Sequence, residues 1–201
     1  MKSLFLDNSL SLIKRYYPDY DELKMAELKY GLEGLYLSVT KLIFIFIVSI
    51  ILGIFKETLL LLIFFNILRF SGFGLHASKS YICLIVSSTM FIGGPLLAQV
   101  LNLSILAKTI IGIISIILIF IHAPADTKKR PLLNKKKRNI YKFITTINCI
   151  ILVIISLIIK DTIISNLIVL GILYEVIMIS PVTYKIFKLP YNNYKTYKYW
   201  Y

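Results

Sequence analysis

The chain has 201 residues, of which 58% are hydrophobic and 16% are charged. Soluble domains carry about 25% charged residues, so this composition excludes a soluble enzyme, a disordered tail and a nucleic-acid-binding module, and it predicts an all-α integral membrane protein. The 23 Lys and Arg residues outnumber the 10 Asp and Glu residues, giving a net charge of +13. In a membrane protein, an excess of basic residues indicates first which loops face the cytoplasm.

Residues 1–34 are predicted to form a cytoplasmic, interfacial segment with an amphipathic helix. Asp7 interrupts the first hydrophobic run before it reaches the length of a signal peptide, so the N-terminus is expected to stay in the cytoplasm. Over residues 19–35, apolar residues recur at helical spacing, and Asp19 with Glu22 resembles a capping box. Such a helix would lie on the membrane surface and lead into the first span.

Six stretches approach the roughly 20 apolar residues that a membrane-spanning helix needs. They make up a transmembrane domain over residues 35–180 and lie at 35–55, 59–75, 81–99, 103–122, 141–159 and 163–180. The second is the shortest, because Arg69 ends its apolar run, so it must continue through Gly72 and Gly74 or be covered by neighbouring protein. In the third, the sequence Gly-Gly-Pro at 93–95 predicts a kink or an early end.

The basic residues predict which loops face the cytoplasm. The loop 123–140 holds seven basic residues and one acid, Asp126, and the Tyr-rich tail 181–201 holds four lysines and no acid. With six spans and both termini in the cytoplasm, every basic segment lies inside, as the positive-inside bias requires. We therefore expect a multi-pass protein of the cell membrane, in which the tyrosines of residues 191–201 form an interfacial anchor.

Residues that can carry chemistry cluster between the second and third predicted spans. Arg69, Gly74, His76 and Cys83 lie within fifteen residues at the cytoplasmic end of these spans. A thiolate is the strongest nucleophile that proteins carry, and an imidazole is best suited to remove its proton near neutral pH. The pair permits cysteine-nucleophile hydrolysis or acyl transfer. No metal-ligand spacing accompanies it, so neither a metal nor a cofactor is expected.

The spacing restricts how His76 and Cys83 can meet. On one straight helix, they would lie about 10.5 Å apart along the axis, which is too far for a hydrogen bond. We therefore expect the chain to turn between them, with Ser78 or Ser80 capping the third span. If Ser80 is the cap, Cys83 lies in the first helical turn, where the helix dipole stabilises a thiolate.

Several of these side chains also have purely structural interpretations. Glu175, in the sixth predicted span, would orient His76 or pair with Arg69, and a structural ion pair explains it equally well. Cys149 has no histidine nearby and is predicted to be a packed hydrophobe, and His122 is predicted to be interfacial. Arg69 can be a snorkelling charge, and the basic run 135–138 can serve only to contact anionic lipid.

The sequence resembles the accessory gene regulator B (AgrB) family. The resemblance is carried by Arg69, Gly74, His76-Ala77 and Cys83, and by the sequence Ala-Pro-Ala-Asp-Thr at 123–127, which opens the basic loop. It extends over nearly the whole chain, including its length, the number of spans and the order of the motifs. One departure is Phe73-Gly74, where the family often has a pair of glycines.

The resemblance implies a membrane cysteine endopeptidase of a Gram-positive quorum-sensing system. Such an enzyme cuts the charged C-terminal tail from a small amphipathic pro-peptide at the inner leaflet. Cys83 would be the nucleophile that forms a thioester, and His76 the general base and then the acid. A Cys or Ser of the pro-peptide would then close a thiolactone or lactone ring.

The resemblance also implies roles for residues around this pair. Substrate positioning or oxyanion support would fall to Arg69, Gly74 and Glu175, with Gly74 acting through the turn. The acidic tail of the pro-peptide would bind to Lys128, Lys129 and Arg130. Anionic lipids are further expected partners, nucleic acid is not, and a homodimer is compatible with the sequence.

Two other classes of function fit parts of the sequence. In a non-enzymatic membrane transport or assembly subunit, His76 and Cys83 would only pack. In a small membrane lipid enzyme, the basic loop would hold phosphate headgroups. The peptidase differs from both because it requires a thiolate at Cys83.

Overall fold

The computed structural model describes residues 2–75, 80–127 and 131–195, and all regular elements within these ranges are helical. In chain order they are α1 (Lys2–Tyr16), α2 (Glu22–Ile51), α3 (Phe55–Gly72), α4 (Ser80–Ser88), a π-helical turn (Thr89–Gly93), α5 (Gly94–Val100), α6 (Ile105–His122), α7 (Lys135–Ile158), α8 (Thr162–Ile179), α9 (Pro181–Ile186) and a 3₁₀ turn (Asn193–Lys195). The chain divides into two compact units, Met1–Val48 and Ser49–Tyr201.

The first unit contains α1 and most of α2. The helix α2 begins at Glu22 because Asp21, rather than the predicted Asp19, accepts a hydrogen bond from the backbone N–H of Lys24 at 2.8 Å. It then continues to Ile51 without a break, so the predicted surface helix over 19–35 and the predicted first span are one helix of 30 residues. The two glycines near its middle weaken a helix without ending it.

Five helices in the described residues are long and apolar enough to cross a membrane. They are Glu22–Ile51, Tyr81–Val100, Ile105–His122, Lys135–Ile158 and Thr162–Ile179. The protein is therefore a multi-pass membrane protein. The remaining predicted span, 59–75, corresponds to α3, which is helical but is not among these five, because it contains Lys56, Glu57 and Arg69.

The third predicted span is irregular where the sequence indicated. The π-helical turn Thr89–Gly93 directly precedes Gly94-Pro95, and Pro95 has no N–H to donate to a helical hydrogen bond. The chain nevertheless continues as α5 to Val100. Gly94 allows α5 to approach α3 and α8, since a Cβ there would lie 2.7 Å from both Leu61 Cδ2 and the Tyr174 hydroxyl.

The core of the second unit forms around α8, most of whose residues are buried. Helices α3, α6 and α7 pack against it. Gly171 permits the contact with α3, because a Cβ at this position would lie 3.2 Å from the backbone nitrogen of Phe65. Cys149 is completely buried in the same core, which agrees with its predicted role as a packed hydrophobe.

Polar contacts join these helices at the N-terminal end of α6. The Lys108 ammonium donates to the Ser165 hydroxyl at 2.6 Å, and that hydroxyl donates to the Ser156 carbonyl at 2.6 Å. The Asn166 amide donates to the carbonyls of Ala98 and Leu101, which end α5. The loop 123–127, whose sequence contributes to the AgrB resemblance, follows the other end of α6 at His122.

Candidate functional site

The helix α3 ends in a reversal with two consecutive residues at positive φ. Phe73 has φ of 59° and Gly74 has φ of 89°, and the Phe73 N–H donates to the Arg69 carbonyl at 3.1 Å. Gly74 is needed both for its φ and for space. A Cβ at this position would overlap Arg69 Nη1 and lie 2.8 Å from the Met178 carbonyl oxygen. The structure thus places Gly74 in a turn.

Phe73 is the position at which this chain departs from the glycine pair of the family. Its positive φ is a conformation that glycine adopts at no steric cost. The phenyl ring packs edge-on against the Tyr141 ring at 5.1 Å between centroids. This aromatic contact offsets part of the backbone strain.

The turn is attached to the Ala-Pro-Ala-Asp motif and to the end of α8. The Ala125 N–H donates to the Gly72 carbonyl at 2.9 Å, and the Gly74 N–H donates to the Ala125 carbonyl at 2.8 Å. The Leu75 N–H donates to the Met178 carbonyl at 3.0 Å. The backbone that leads into His76 is therefore held between the loop 123–126 and α8.

Arg69 and Glu175 form an ion pair under the turn. Arg69 Nη1 lies 3.7 Å from Glu175 Oε2, and the two side chains are 14% and 0% exposed. Arg69 Nη2 donates to the Leu75 carbonyl at 2.6 Å. A methyl group at Gly72 would overlap Glu175 Oε1, so a glycine is needed for the carboxylate to lie there. Of the two predicted partners of Glu175, Arg69 lies beside it, and His76 is outside the described residues.

Cys83 lies in the first turn of α4, as predicted, but Ser80 is the first residue of this helix rather than its N-cap, and Ser78 lies outside the described residues. The Cys83 side chain is partly exposed, whereas that of Cys149 is completely buried. Of the two cysteines, Cys83 is therefore the more accessible.

Other predicted site residues lie outside the described residues. They are His76, Lys128, Lys129 and Arg130. The described residues next to these two segments are held by hydrogen bonds or begin a helix. Leu75 is bonded to α8, Ser80 begins α4, and Asp126 and Leu132 are joined by a hydrogen bond from the Leu132 N–H at 3.4 Å.

Residues of the C-terminal tail, for which the sequence predicts no chemical role, form hydrogen bonds with the loop 123–126. Asp126 is only 2% exposed, and its carboxylate accepts hydrogen bonds from the backbone N–H groups of Asn193 at 2.9 Å and Tyr194 at 2.8 Å. The Tyr184 hydroxyl donates to the carbonyls of Ala125 at 3.2 Å and Asp126 at 3.0 Å. We call Asp126, Tyr184, Asn193 and Tyr194 the C-terminal clasp.

The tyrosines of the tail pack on the protein in this region. Burial raises the pKa of Tyr184 well above its usual range, so its hydroxyl stays a donor at physiological pH. Burial, with smaller contributions from Tyr194 and Asp126, raises the pKa of Tyr191 to about 12. The Tyr191 hydroxyl lies 3.1 Å from His122 Nδ1. The one signal for the clasp in the sequence is Asp126, the single acid of a basic loop.

The site contains no cluster of metal ligands within the described ranges. No group of three or more His, Cys, Asp and Glu side chains lies there in an arrangement that could hold a metal ion. The described part of the site thus consists of a helix-terminal thiol, an ion pair and a hydrogen-bonded turn. These groups suit nucleophilic chemistry by a side chain.

Comparisons with known proteins identify the family. The model of the family described as accessory gene regulator B matches residues 7–179. An AgrB-like protein of Clostridium acetobutylicum is 37% identical over 175 residues, which are 86% of this chain and 82% of that protein. An AgrB-like protein of Listeria innocua is 34% identical over 180 residues, with coverage of 89% and 87%.

A third relative is the accessory gene regulator protein B of Staphylococcus aureus, which is 31% identical over 183 residues, with coverage of 89% of this chain and 95% of that protein. No solved structure matches the chain. The match of the family model to most of the chain and the identity with these full-length relatives show that the chain belongs to the accessory gene regulator B family.

Proposed function

We propose that this protein is a membrane cysteine endopeptidase that removes the C-terminal tail of a quorum-sensing pro-peptide and makes a cyclic peptide from the remainder. The observation that carries the proposal is the position of Cys83, partly exposed in the first turn of α4. Five residues before α4 begins, the chain is fixed at Leu75 by α8 and Arg69. Family membership supports the same role in accessory gene regulation.

The first step is transfer of the acyl group to the enzyme. His76 takes the proton from the Cys83 thiol, and Sγ attacks the scissile carbonyl carbon. The carbon–nitrogen bond breaks, and the tail leaves as an amine with the proton that His76 returns. A thioester then joins Cys83 to the upstream part of the pro-peptide.

Arg69, Gly74 and Glu175 position the backbone that carries His76. Arg69 Nη1 faces Glu175 and Nη2 donates to the Leu75 carbonyl, so both terminal nitrogens are directed at the protein. This arrangement favours positioning over oxyanion support for Arg69. Gly74 allows the turn, and Glu175 compensates the buried guanidinium charge, which would otherwise be costly.

The second step closes the ring. A Cys or Ser side chain of the bound peptide attacks the thioester carbonyl, the bond to Cys83 Sγ breaks, and the thiolate regains a proton. The attacking group is tethered to the same chain, so its effective concentration is high and cyclisation outruns hydrolysis. Exclusion of water by the membrane acts in the same direction. A site at the cytoplasmic face, with both termini inside, gives access to a newly made peptide.

The proposal is tested by trapping the acyl-enzyme. Purified protein in detergent is incubated with a synthetic pro-peptide whose cyclising Cys or Ser is replaced by Ala, and the intact protein is weighed by mass spectrometry. The expected result is a hydroxylamine-labile adduct on Cys83 equal in mass to the upstream peptide, with release of the free tail. Tail release by the Cys83→Ala variant at the parent rate would rule out a thioester intermediate on Cys83.

Lys128, Lys129 and Arg130 are proposed to bind the acidic tail of the pro-peptide. Neutralising all three with Gln should raise KM roughly tenfold while leaving kcat nearly unchanged, because charge complementarity mainly affects encounter and binding. The effect should shrink as salt is added. The matched control is Gln at Lys135, Lys136 and Lys137, which begin α7. An equal change of KM in both triple variants would show that the effect is not specific to 128–130.

A further inference from the structure

The C-terminal clasp is connected to the backbone in front of His76 by an unbroken series of hydrogen bonds. Tyr184 and the Asn193 side-chain amide hold the Asp126 carbonyl, and Tyr184 also holds the Ala125 carbonyl. Ala125 exchanges two hydrogen bonds with Gly72 and Gly74. The chain then passes through Leu75 into His76. These hydrogen bonds thus connect Asp126 to the turn that ends at Leu75, the residue before His76.

Asp126 is held by directional contacts rather than by an opposite charge. Its carboxylate accepts three backbone N–H groups, from Asn193, Tyr194 and Leu132, and no Lys or Arg within the described residues forms an ion pair with it. A buried carboxylate is costly unless its oxygens are hydrogen-bonded. These bonds fix both the position and the orientation of the loop 123–126 relative to the tail.

We propose that Asp126 is a positioning residue for the reaction and that, through the C-terminal clasp, the tail is part of the active-site architecture. The clasp fixes the loop 123–126, and the loop fixes the turn that leads into His76. This inference rests on the proposed function of His76 and Cys83. It assigns to Tyr184, Asn193 and Tyr194 a role other than anchoring the tail at the membrane surface.

The experiment measures the effect of the base on Cys83 reactivity separately from the rate of turnover. All variants are made in a Cys149→Ser background, so that Cys83 is the one thiol left. The rate of Cys83 alkylation by iodoacetamide is recorded from about pH 6 to 9, the range in which histidine titrates, together with kcat and KM for a pro-peptide. Asp126→Ala should lower kcat about 10- to 100-fold with little change of KM. In this variant, the pH dependence of the Cys83 alkylation rate should shift towards that of His76→Ala.

Tyr184→Phe is the milder second variant, because it removes only the hydroxyl that donates to the loop. It should lower kcat about three- to tenfold, as expected for one lost hydrogen bond, and move the alkylation profile in the same direction. If Asp126→Ala fails to fold, this variant decides the question. The matched control is Lys185→Ala, an exposed neighbour on α9 that should behave like the parent protein.

The outcomes separate this inference from the proposed function. If His76→Ala leaves both cleavage and alkylation unchanged, the proposed function itself fails. If His76→Ala slows both, while Tyr184→Phe and a folded Asp126→Ala keep the parent kcat and alkylation profile, the positioning role is wrong. A lower kcat with an unaltered pH dependence of Cys83 alkylation would also overturn it. That result would indicate a structural defect that lowers turnover without affecting the base.

Discussion

Under the proposed function, replacing Cys83 with Ala or Ser should abolish cleavage of the pro-peptide, while the protein should be made and inserted into the membrane at the parent level. We expect a loss of at least roughly 1000-fold, because a nucleophile cannot be replaced by neighbouring groups and serine lacks an activated oxygen in a site built for a thiol. The measurement is cleavage of purified pro-peptide by equal amounts of detergent-solubilised protein.

Cys149 provides the matched control for this substitution. Its side chain is completely buried in the core, so Cys149→Ala should cleave the pro-peptide at close to the parent rate at equal protein levels. Normal cleavage by either Cys83 variant would eliminate the thiol mechanism. Loss of the protein, rather than of turnover, in the Cys83 variants would favour the packing role of a non-enzymatic membrane subunit.

Gly74→Ala is expected to have the second largest effect, a loss of cleavage of about 100-fold. The positive φ alone costs about 1–2 kcal/mol in a residue with a Cβ. The new methyl group would also press on Arg69 and lie 2.8 Å from the Met178 carbonyl oxygen, which belongs to the backbone of α8. The turn must therefore move, and displacement of a catalytic group by about 1 Å is enough for such a loss.

Gly93→Ala tests whether this effect belongs to the turn. A Cβ at Gly93 would meet open space, and its φ of −66° is one that alanine adopts readily. The rate of cleavage should therefore stay within about twofold of the parent, as is usual for a substitution that disturbs no contact. Parent-level cleavage by Gly74→Ala would show that the turn does not position the base.

The ion pair between Arg69 and Glu175 explains why charged residues occur in otherwise apolar helices. Removing either partner alone leaves the other charge buried, which is far more costly than the net value of the pair. The second terminal nitrogen of Arg69 holds the Leu75 carbonyl, so the pair connects α3, α8 and the segment entering His76. Under the proposed function, Arg69 would therefore contribute both to stability and to the position of the base.

The amino-acid sequence by itself determined the membrane class, five of the six predicted spans as helices long and apolar enough to cross a membrane, and the position of Cys83 near the start of a helix. These features depend on composition and on runs of apolar residues, which act between neighbours in the chain. The motifs around His76 and Cys83 also indicated the family. The same local signals predicted a boundary near residue 35. The structure has one uninterrupted helix there, because no residue forces a break.

Tertiary structure alone places Arg69 beside Glu175 and the C-terminal tail beside Asp126. Glu175 had two plausible partners in the sequence, and only the packing of α3 against α8 places the Arg69 guanidinium beside it. Asp126 is held by Asn193, 67 residues further along the chain. Such contacts join backbone groups that are distant in the sequence, and the types of these residues do not predict the contacts. The contacts follow from how the helices pack and not from any pattern within one helix.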